Sequence, residues 1–67
     1  MYFNYHAKIK NLILSNQLLN YGFFEDWNGI KPAMVFFFAN HKPMPVRIEK
    51  WNEYINLLNE INFKNKI

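Results

Sequence analysis

Few side chains in this sequence are of a type that could do chemistry. The chain has no cysteine and no threonine, one serine at Ser15, and two histidines at His6 and His41. Nucleophilic catalysis needs a nucleophile, a base and an orienting group within hydrogen-bond reach, and no sequence pattern brings Ser15 together with either histidine. We therefore interpret Ser15 as a helix-end residue that bonds local backbone, and we expect the protein not to be an enzyme.

The acidic residues do not complete a metal site or an acid–base pair. A metal site needs clustered histidine and carboxylate ligands, but His6 has no acid within one helical turn and His41 has none within six residues on either side. Glu25 and Asp26 are adjacent, so on a strand they point to opposite faces. The two glycines lie seven residues apart and form no phosphate-binding loop. We expect no metal, no cofactor, and both histidines at the surface.

Segment 40–47 is the most distinctive polar stretch, because it contains two prolines, which restrict its backbone, together with several basic side chains. One interpretation is a recognition loop for single-stranded nucleic acid, with Phe36 or Phe38 nearby as a stacking surface. The residues that this interpretation would use are Lys31, His41, Lys42 and Arg47. The other interpretation is a strand connection whose prolines protect a sheet edge. Without Lys64 and Lys66, six cations face five acids, so the field that would attract nucleic acid is weak.

The length and composition of the chain indicate one small domain over 1–67, with 63–67 as a flexible Asn/Lys tail. A chain of 67 residues buries only about 60% of the surface that its unfolded form exposes. Without disulfides, it needs an aromatic core or a second chain for stability. Seven Phe, four Tyr and two Trp can supply the core, and they also favour a partner, because so many rings rarely all fit inside a domain this small.

The hydropathy pattern contains no candidate membrane segment. No run reaches 18 apolar residues, and the N-terminus lacks the pattern of a signal peptide, so we expect a cytoplasmic protein. Asn, Lys, Ile, Phe and Tyr make up 36 of the 67 residues. Because AT-rich codons encode these residues, the composition suggests a bacterial genome of low GC content.

Apolar spacing predicts two helices, over 5–16 and 49–62. Asn4 is expected to cap the first helix, and Asn16 to close it in a left-handed conformation. The second helix has Glu49 near its positive end and Lys64 and Lys66 near its negative end.

A hairpin is predicted around Asn28-Gly29, which lies between two aromatic-rich runs and suits turns with positive φ. The predicted register pairs Asp26 with Lys31, Phe24 with Ala33 and Gly22 with Val35. A four-residue loop, 27–30, is preferred because a two-residue loop would place Pro32 at a hydrogen-bonded site without a donor. A short third strand at 44–48, with Met44, Val46 and Ile48 on one side, is expected at a sheet edge because Pro43 and Pro45 cannot donate to a ladder.

The predicted fold is α+β, in the order α-β-β-(β)-α, with a short antiparallel meander packed against two helices. Both faces of the hairpin are apolar. One face is predicted to carry Leu19, Tyr21, Phe23, Met34, Phe36 and Phe38. The other is predicted to carry Leu18, Phe24, Ala33, Val35, Phe37 and Ala39. Two helices can cover only one face, so the second is expected to meet another chain, a ligand or water.

The leading functional hypothesis is a small cytoplasmic protein-binding or adaptor module that acts through an aromatic sheet surface, as a homodimer or docked on another protein. The predicted partner-binding residues are Phe24, Val35, Phe37, Met44 and Trp51. The alternative is a single-stranded nucleic-acid-binding protein that uses the basic loop 40–47 and exposed aromatics. An inhibitor that caps one specific host protein is a third hypothesis, which the sequence does not separate from the first.

Overall fold

The predicted fold class is confirmed by a computed structural model, which describes residues 4–63. The elements are α1 (Tyr5–Leu14), β1 (Leu18–Phe24), β2 (Ala33–Phe38), β3 (Met44–Arg47) and α2 (Trp51–Glu60), with a short 3-10 turn (Ile48–Lys50) before α2. The three strands form one antiparallel sheet in the order β1-β2-β3. The third strand therefore exists, and it lies at an edge as its prolines predict.

Both ends of α1 follow from asparagine chemistry. The Oδ1 atom of Asn4 accepts a hydrogen bond of 3.0 Å from the N–H of Ala7, which is the predicted N-cap. At the other end, Asn16 takes a φ of 64°, and the N–H of Gln17 donates to the carbonyl of Leu12 at 3.0 Å. This left-handed closure ends the helix at Leu14, two residues before the predicted end.

The second helix is shorter than predicted because a 3-10 turn precedes it and a left-handed residue follows its last turn. Ile48 lies in the 3-10 turn and is 52% exposed, so the prediction that it belongs to the third strand, on the same side as Met44 and Val46, is wrong. At the C-terminus, Asn62 takes a φ of 59°, and the N–H of Phe63 donates to the carbonyl of Leu58 at 3.0 Å. Lys64, Lys66 and the predicted tail beyond Phe63 lie outside the described residues.

The hairpin register is the predicted one, with Phe24 opposite Ala33 and Gly22 opposite Val35. The predicted ion pair at the tip is also present, with Lys31 Nζ 3.8 Å from Asp26 Oδ2.

The preferred four-residue loop is wrong. Trp27 and Ile30 exchange two backbone hydrogen bonds of 2.9 and 3.0 Å, so Asn28-Gly29 forms a two-residue turn with φ values of 51° and 93°. The ladder is interrupted between this pair and the Phe24–Ala33 pair. Pro32, which follows a cis peptide bond, lies in the interruption, where its missing N–H breaks no ladder pair.

The turn gives the first test of the fold. We expect Gly29→Ala to lower the free energy of unfolding by about 1–2 kcal/mol, because the left-handed backbone conformation is sterically unfavourable for a residue with a Cβ atom. An added Cβ would meet no atom within 4 Å, so the loss comes from backbone conformation alone. Asn28→Gly is the control and should be close to neutral, because glycine adopts positive φ without strain. Urea denaturation of the three proteins measures both effects, and equal stability of Gly29→Ala and the native chain would contradict the turn geometry.

The core lies between one face of the sheet and both helices. Its buried members are Ile9, Leu12, Ile13, Leu18, Met34, Phe36, Phe38, Met44, Val46, Tyr54 and Leu58. The face of β2 that carries Met34, Phe36 and Phe38 is therefore the inner face, a choice that the sequence left open.

One predicted face assignment is wrong, at the start of β1. Leu18 lies opposite Phe38 and is buried in the core, whereas Leu19 is 55% exposed. A register shift between Leu18 and Asn20 adds one residue to β1. Such a bulge exchanges the faces of the residues before it.

Candidate functional site

The second face of the sheet, which we call the outer face, lies away from both helices. Its cross-strand rows alternate with those of the core. One row contains Phe24, Ala33 and Arg47, the next contains Gly22, Val35 and Pro45, and the third contains Asn20 and Phe37. Among residues 4–63, the helices pack only against the other face. Any large side chain of the outer face must therefore be covered by a neighbouring side chain or meet solvent.

Three aromatic rings gather on this face, and we call Phe24, Trp27 and Phe37 the outer triad. The ring centroids of Phe24 and Trp27 are 4.9 Å apart, those of Trp27 and Phe37 are 6.1 Å apart, and those of Phe24 and Phe37 are 6.5 Å apart. The ring of Phe37 meets those of Phe24 and Trp27 edge to face, at 66° and 83°, a geometry that the ring quadrupole favours, and the rings of Phe24 and Trp27 are inclined at 60°. The triad is therefore a mutually braced group.

The small residues of the outer face are completely buried within the chain itself. Ala33 and Val35 are 0% exposed, although α1 and α2 pack against the other face, while the three rings are themselves only partly buried. Because Ala33 and Val35 have no exposed surface in the single chain, the chain itself supplies part of the cover that we expected from a partner. What remains accessible is the outer side of three large, braced aromatic side chains.

The structure brings two of the five predicted partner-binding residues together in an accessible position, namely Phe24 and Phe37. Val35 lies on the same face but has no exposed surface. Met44 belongs to the core on the opposite face and is 8% exposed. Trp51 also packs against the core side, where its Nε1–H donates to the carbonyl of Val46 at 2.9 Å. Met44 and Trp51 therefore form no common surface with Phe24 and Phe37.

Trp27 is the member of this surface that sequence reasoning missed. Strict alternation from Phe24 would point Trp27 to the inner face, and its place beside Asn28-Gly29 led us to assign it to the loop. The interruption of the ladder at residues 25 and 26 allows Trp27 to pack against Phe24 and Phe37. No pattern in the sequence marks such an interruption, apart from Pro32 on the facing segment.

The four predicted nucleic-acid-binding residues do not form one basic site. Lys31 and Arg47 lie near the start of β2, since Arg47 pairs with Ala33 and Lys31 pairs with Asp26. His41 and Lys42 follow the other end of β2, about 17 Å away by strand rise. There the Nδ1–H of His41 donates to the carbonyl of Ala39 at 2.7 Å.

The predicted stacking surface is also absent. Phe36 and Phe38 are 0% and 3% exposed, so the proposal that bases stack on them is wrong. They lie in the core because the helices cover the inner face of β2. A stacking role would pass to the outer triad, where Arg47 shares a row with Phe24.

One pair of chemically capable groups meets inside the fold, and it corrects the prediction that His6 is a surface residue. The hydroxyl of Tyr54 and Nδ1 of His6 share a hydrogen bond of 2.6 Å, in which the hydroxyl donates when the imidazole carries its proton on Nε2. Tyr54 is 0% exposed, and His6 is partly buried. The two residues are 48 positions apart, so no local spacing could predict the pair.

The electrostatics of this pair favour a structural role. Burial raises the pKa of Tyr54, and the negative charges of Glu53 and ionised Tyr5 raise it further. Burial also raises the pKa of Tyr5, whose hydroxyl donates to the carbonyl of Pro45 at 2.9 Å. A tyrosine activated for catalysis has a lowered pKa, whereas these two hold their protons more tightly than usual. The His6–Tyr54 bond therefore satisfies a buried hydroxyl between α1 and α2.

An exposed ion cluster joins the two helices beside this bond. Glu53 accepts from Lys10 at 2.9 Å and from Lys50 at 3.3 Å. These hydrogen bonds and the two positive charges lower the pKa of Glu53. Exposed pairs of this kind contribute little to stability. Ser15 is likewise structural, since it caps α1 and its hydroxyl donates to the carbonyl of Leu12 at 3.3 Å.

Residues 4–63 contain no candidate metal site and no candidate membrane-spanning helix. No three histidine or acidic side chains of this part lie close enough together to hold a metal ion. None of its helices has the length and apolar character needed to cross a bilayer.

Comparison with known proteins gave no significant similarity to any family model, any curated protein or any solved structure.

Proposed function

We propose that this chain is a protein-binding module that acts through its outer face and performs no catalysis of its own. The observation that carries the proposal is the outer triad. Three large rings are braced against one another on a sheet face that neither helix covers. Rigid aromatic side chains lose little conformational entropy on binding, and they supply much of the energy at protein interfaces.

The rim of the triad favours a protein partner that combines apolar and charged groups. Asp26 and Lys31 form an exposed ion pair at the hairpin tip, and Arg47 shares the row of Phe24 and Ala33. A central apolar contact with a polar rim is the usual composition of a protein interface. The partner is therefore a protein that places an apolar side chain against the rings and an acidic side chain near Arg47.

Capture of partners from a lysate of the source cells, with matched variants, tests this function. We expect the native chain to retain a specific protein and Phe37→Lys to retain at least tenfold less of it, because the substitution places a charge in the apolar contact. Ile48→Lys is the matched control, since Ile48 is exposed and lies in the 3-10 turn, away from the triad. Circular dichroism establishes that both variants are folded.

The amounts of protein and nucleic acid that the native chain and the variants retain decide between the hypotheses. A protein retained equally by the native chain, Phe37→Lys and Ile48→Lys would contradict the proposal. Nuclease treatment of half of each sample separates the alternative function. Nucleic acid that is retained by the native chain and lost with Arg47→Ala would favour the single-stranded nucleic-acid-binding hypothesis over the one proposed.

A further inference from the structure

The two edges of the sheet differ in how they meet solvent. The β3 edge carries Pro45, with Pro43 just before the strand and Arg47 at its end. Proline and charge on an edge strand are devices that prevent pairing with another chain. The β1 edge has seven residues without a proline or a charge. Within residues 4–63, no strand lies beyond it.

The β1 edge also carries exposed apolar side chains. Leu19 is 55% exposed and Phe23 is 52% exposed, and the ring of Phe23 lies on the helix side of the sheet, 5.0 Å from the ring of Trp51. A long, uncharged edge with large apolar side chains is the kind of edge that accepts another strand.

We propose that β1 pairs antiparallel with β1 of a second copy, which joins the two sheets into one of six strands. The positions of an exposed ring and an open groove at the two ends of β1 favour this occupant. Phe23, near the end of β1, is 52% exposed on the helix side of the sheet, and a groove on the same side lies beside Leu18 at the start of the strand. A two-fold axis at Tyr21 brings Phe23 of each copy next to the start of β1 of the other. An interface of this type is self-complementary and closes as a dimer.

A groove on the helix side gives the incoming ring a place to bind. It lies beside the start of β1 and is lined by Ile13, Leu14, Asn16, Leu18, Ile61, Asn62 and Phe63. Leu14 and Ile61 are 62% and 39% exposed. In the proposed pairing, Phe23 of the second copy comes next to Leu18 at the mouth of this groove. Burial of the ring there covers apolar side chains of both copies.

The pairing also enlarges the outer face, and this step alone rests on the proposed function. A two-fold axis that makes antiparallel strands is perpendicular to the sheet, so the outer faces of both copies lie on the same side. Three strands of six residues present only about 300 Å², well below the roughly 800 Å² that each partner contributes to a stable interface. Two adjoining outer triads double the platform, which makes a specific protein partner easier to hold.

Sedimentation velocity over a range of concentrations tests the dimer. We expect the native chain to sediment at twice its 8.2 kDa mass and the double variant Leu19→Lys/Phe23→Lys to sediment as a monomer, with a dissociation constant raised about a hundredfold. Each lysine replaces an apolar side chain of the proposed contact, and the lysines of the two copies bring like charges together along it. Ile48→Lys is the matched control, because Ile48 is 52% exposed like Phe23, and it should remain a dimer.

Hydrogen exchange on the native protein provides a second test that does not depend on how the variants fold. We expect the amides on the free side of β1 to gain at least tenfold protection when the concentration rises through the dissociation constant. A native chain that remains monomeric at millimolar concentration would overturn the proposal. A dimer that survives Leu19→Lys/Phe23→Lys but dissociates with Phe37→Lys would also overturn it, by moving the contact to the outer face. A native chain that forms the dimer but captures no specific protein would count against the proposed function and leave the β1 pairing in place.

Discussion

Replacement of Phe36 by alanine is expected to remove a large part of the stability of the fold. Phe36 is 0% exposed in the central strand, and its ring centroid lies 5.1 Å from that of Tyr54 and 6.2 Å from that of Tyr21. Removal of a buried phenylalanine ring costs about 3–5 kcal/mol. A chain of this length has a total stability of only about 3–10 kcal/mol. Chemical denaturation at one fixed protein concentration measures the loss, because the dimer that we propose makes stability depend on concentration.

Phe24→Ala is the matched control for this prediction, since Phe24 lies on the outer face of the same sheet and is only partly buried. We expect it to lose about 1–2 kcal/mol, in keeping with the smaller apolar area that it removes from water. If Phe36→Ala cost no more than Phe24→Ala, the assignment of the inner and outer faces would be wrong.

Alkaline pH is expected to destabilise the fold through Tyr54. Burial, followed by the negative charges of Glu53 and Tyr5, raises the pKa of Tyr54 in the folded state, whereas in the unfolded chain the pKa is about 10. Below pH 10 both states hold the proton, and the full stability is present. Above pH 10 the unfolded state ionises while the folded state does not, so the free energy of unfolding falls as pH rises towards the folded pKa. The fall attributable to this group is about 1.4 kcal/mol between pH 9 and pH 11.

The difference in the free energy of unfolding between the native chain and Tyr54→Phe, followed as a function of pH, measures the contribution of Tyr54. We expect Tyr54→Phe to be less stable at pH 9, because it loses the hydrogen bond to His6, but to lose less stability between pH 9 and pH 11. Tyr5→Phe is a second comparison, because burial also raises the pKa of Tyr5. Urea denaturation at each pH gives the values. Parallel pH profiles for the native chain and Tyr54→Phe would contradict the burial of the Tyr54 hydroxyl.

Local signals in the sequence predict the order of elements and the hairpin register well. Asn28-Gly29 requires positive φ at two adjacent positions, and the Asp26–Lys31 pair fixes the alignment beside it. Both features depend on neighbours within a few residues. Asn4 and Asn16 mark the ends of α1 in the same local way, with errors of two residues in the extent of the helix.

The surface could be predicted only in part, because it depends on two irregularities of the ladder. The bulge between Leu18 and Asn20 moves Leu18 into the core and leaves Leu19 unpaired, and the interruption beside Pro32 brings Trp27 onto the outer face. Apolar residues occupy both faces here. A residue that moves from one face to the other therefore leaves the hydropathy pattern unchanged, and neither irregularity can be detected from it. Contacts distant in sequence, such as His6 with Tyr54, depend on how the helices dock and leave no periodic signal.

Site-specific photocrosslinking in the source cells tests the central claim, that the outer face is the protein-binding surface. A benzoyl-phenylalanine residue is placed at position 27, within the outer triad, and in a second protein at position 48, in the exposed 3-10 turn. We predict a discrete crosslinked protein from position 27 and none from position 48. The same crosslinks from both positions, or nuclease-sensitive products alone from position 27, would contradict the account.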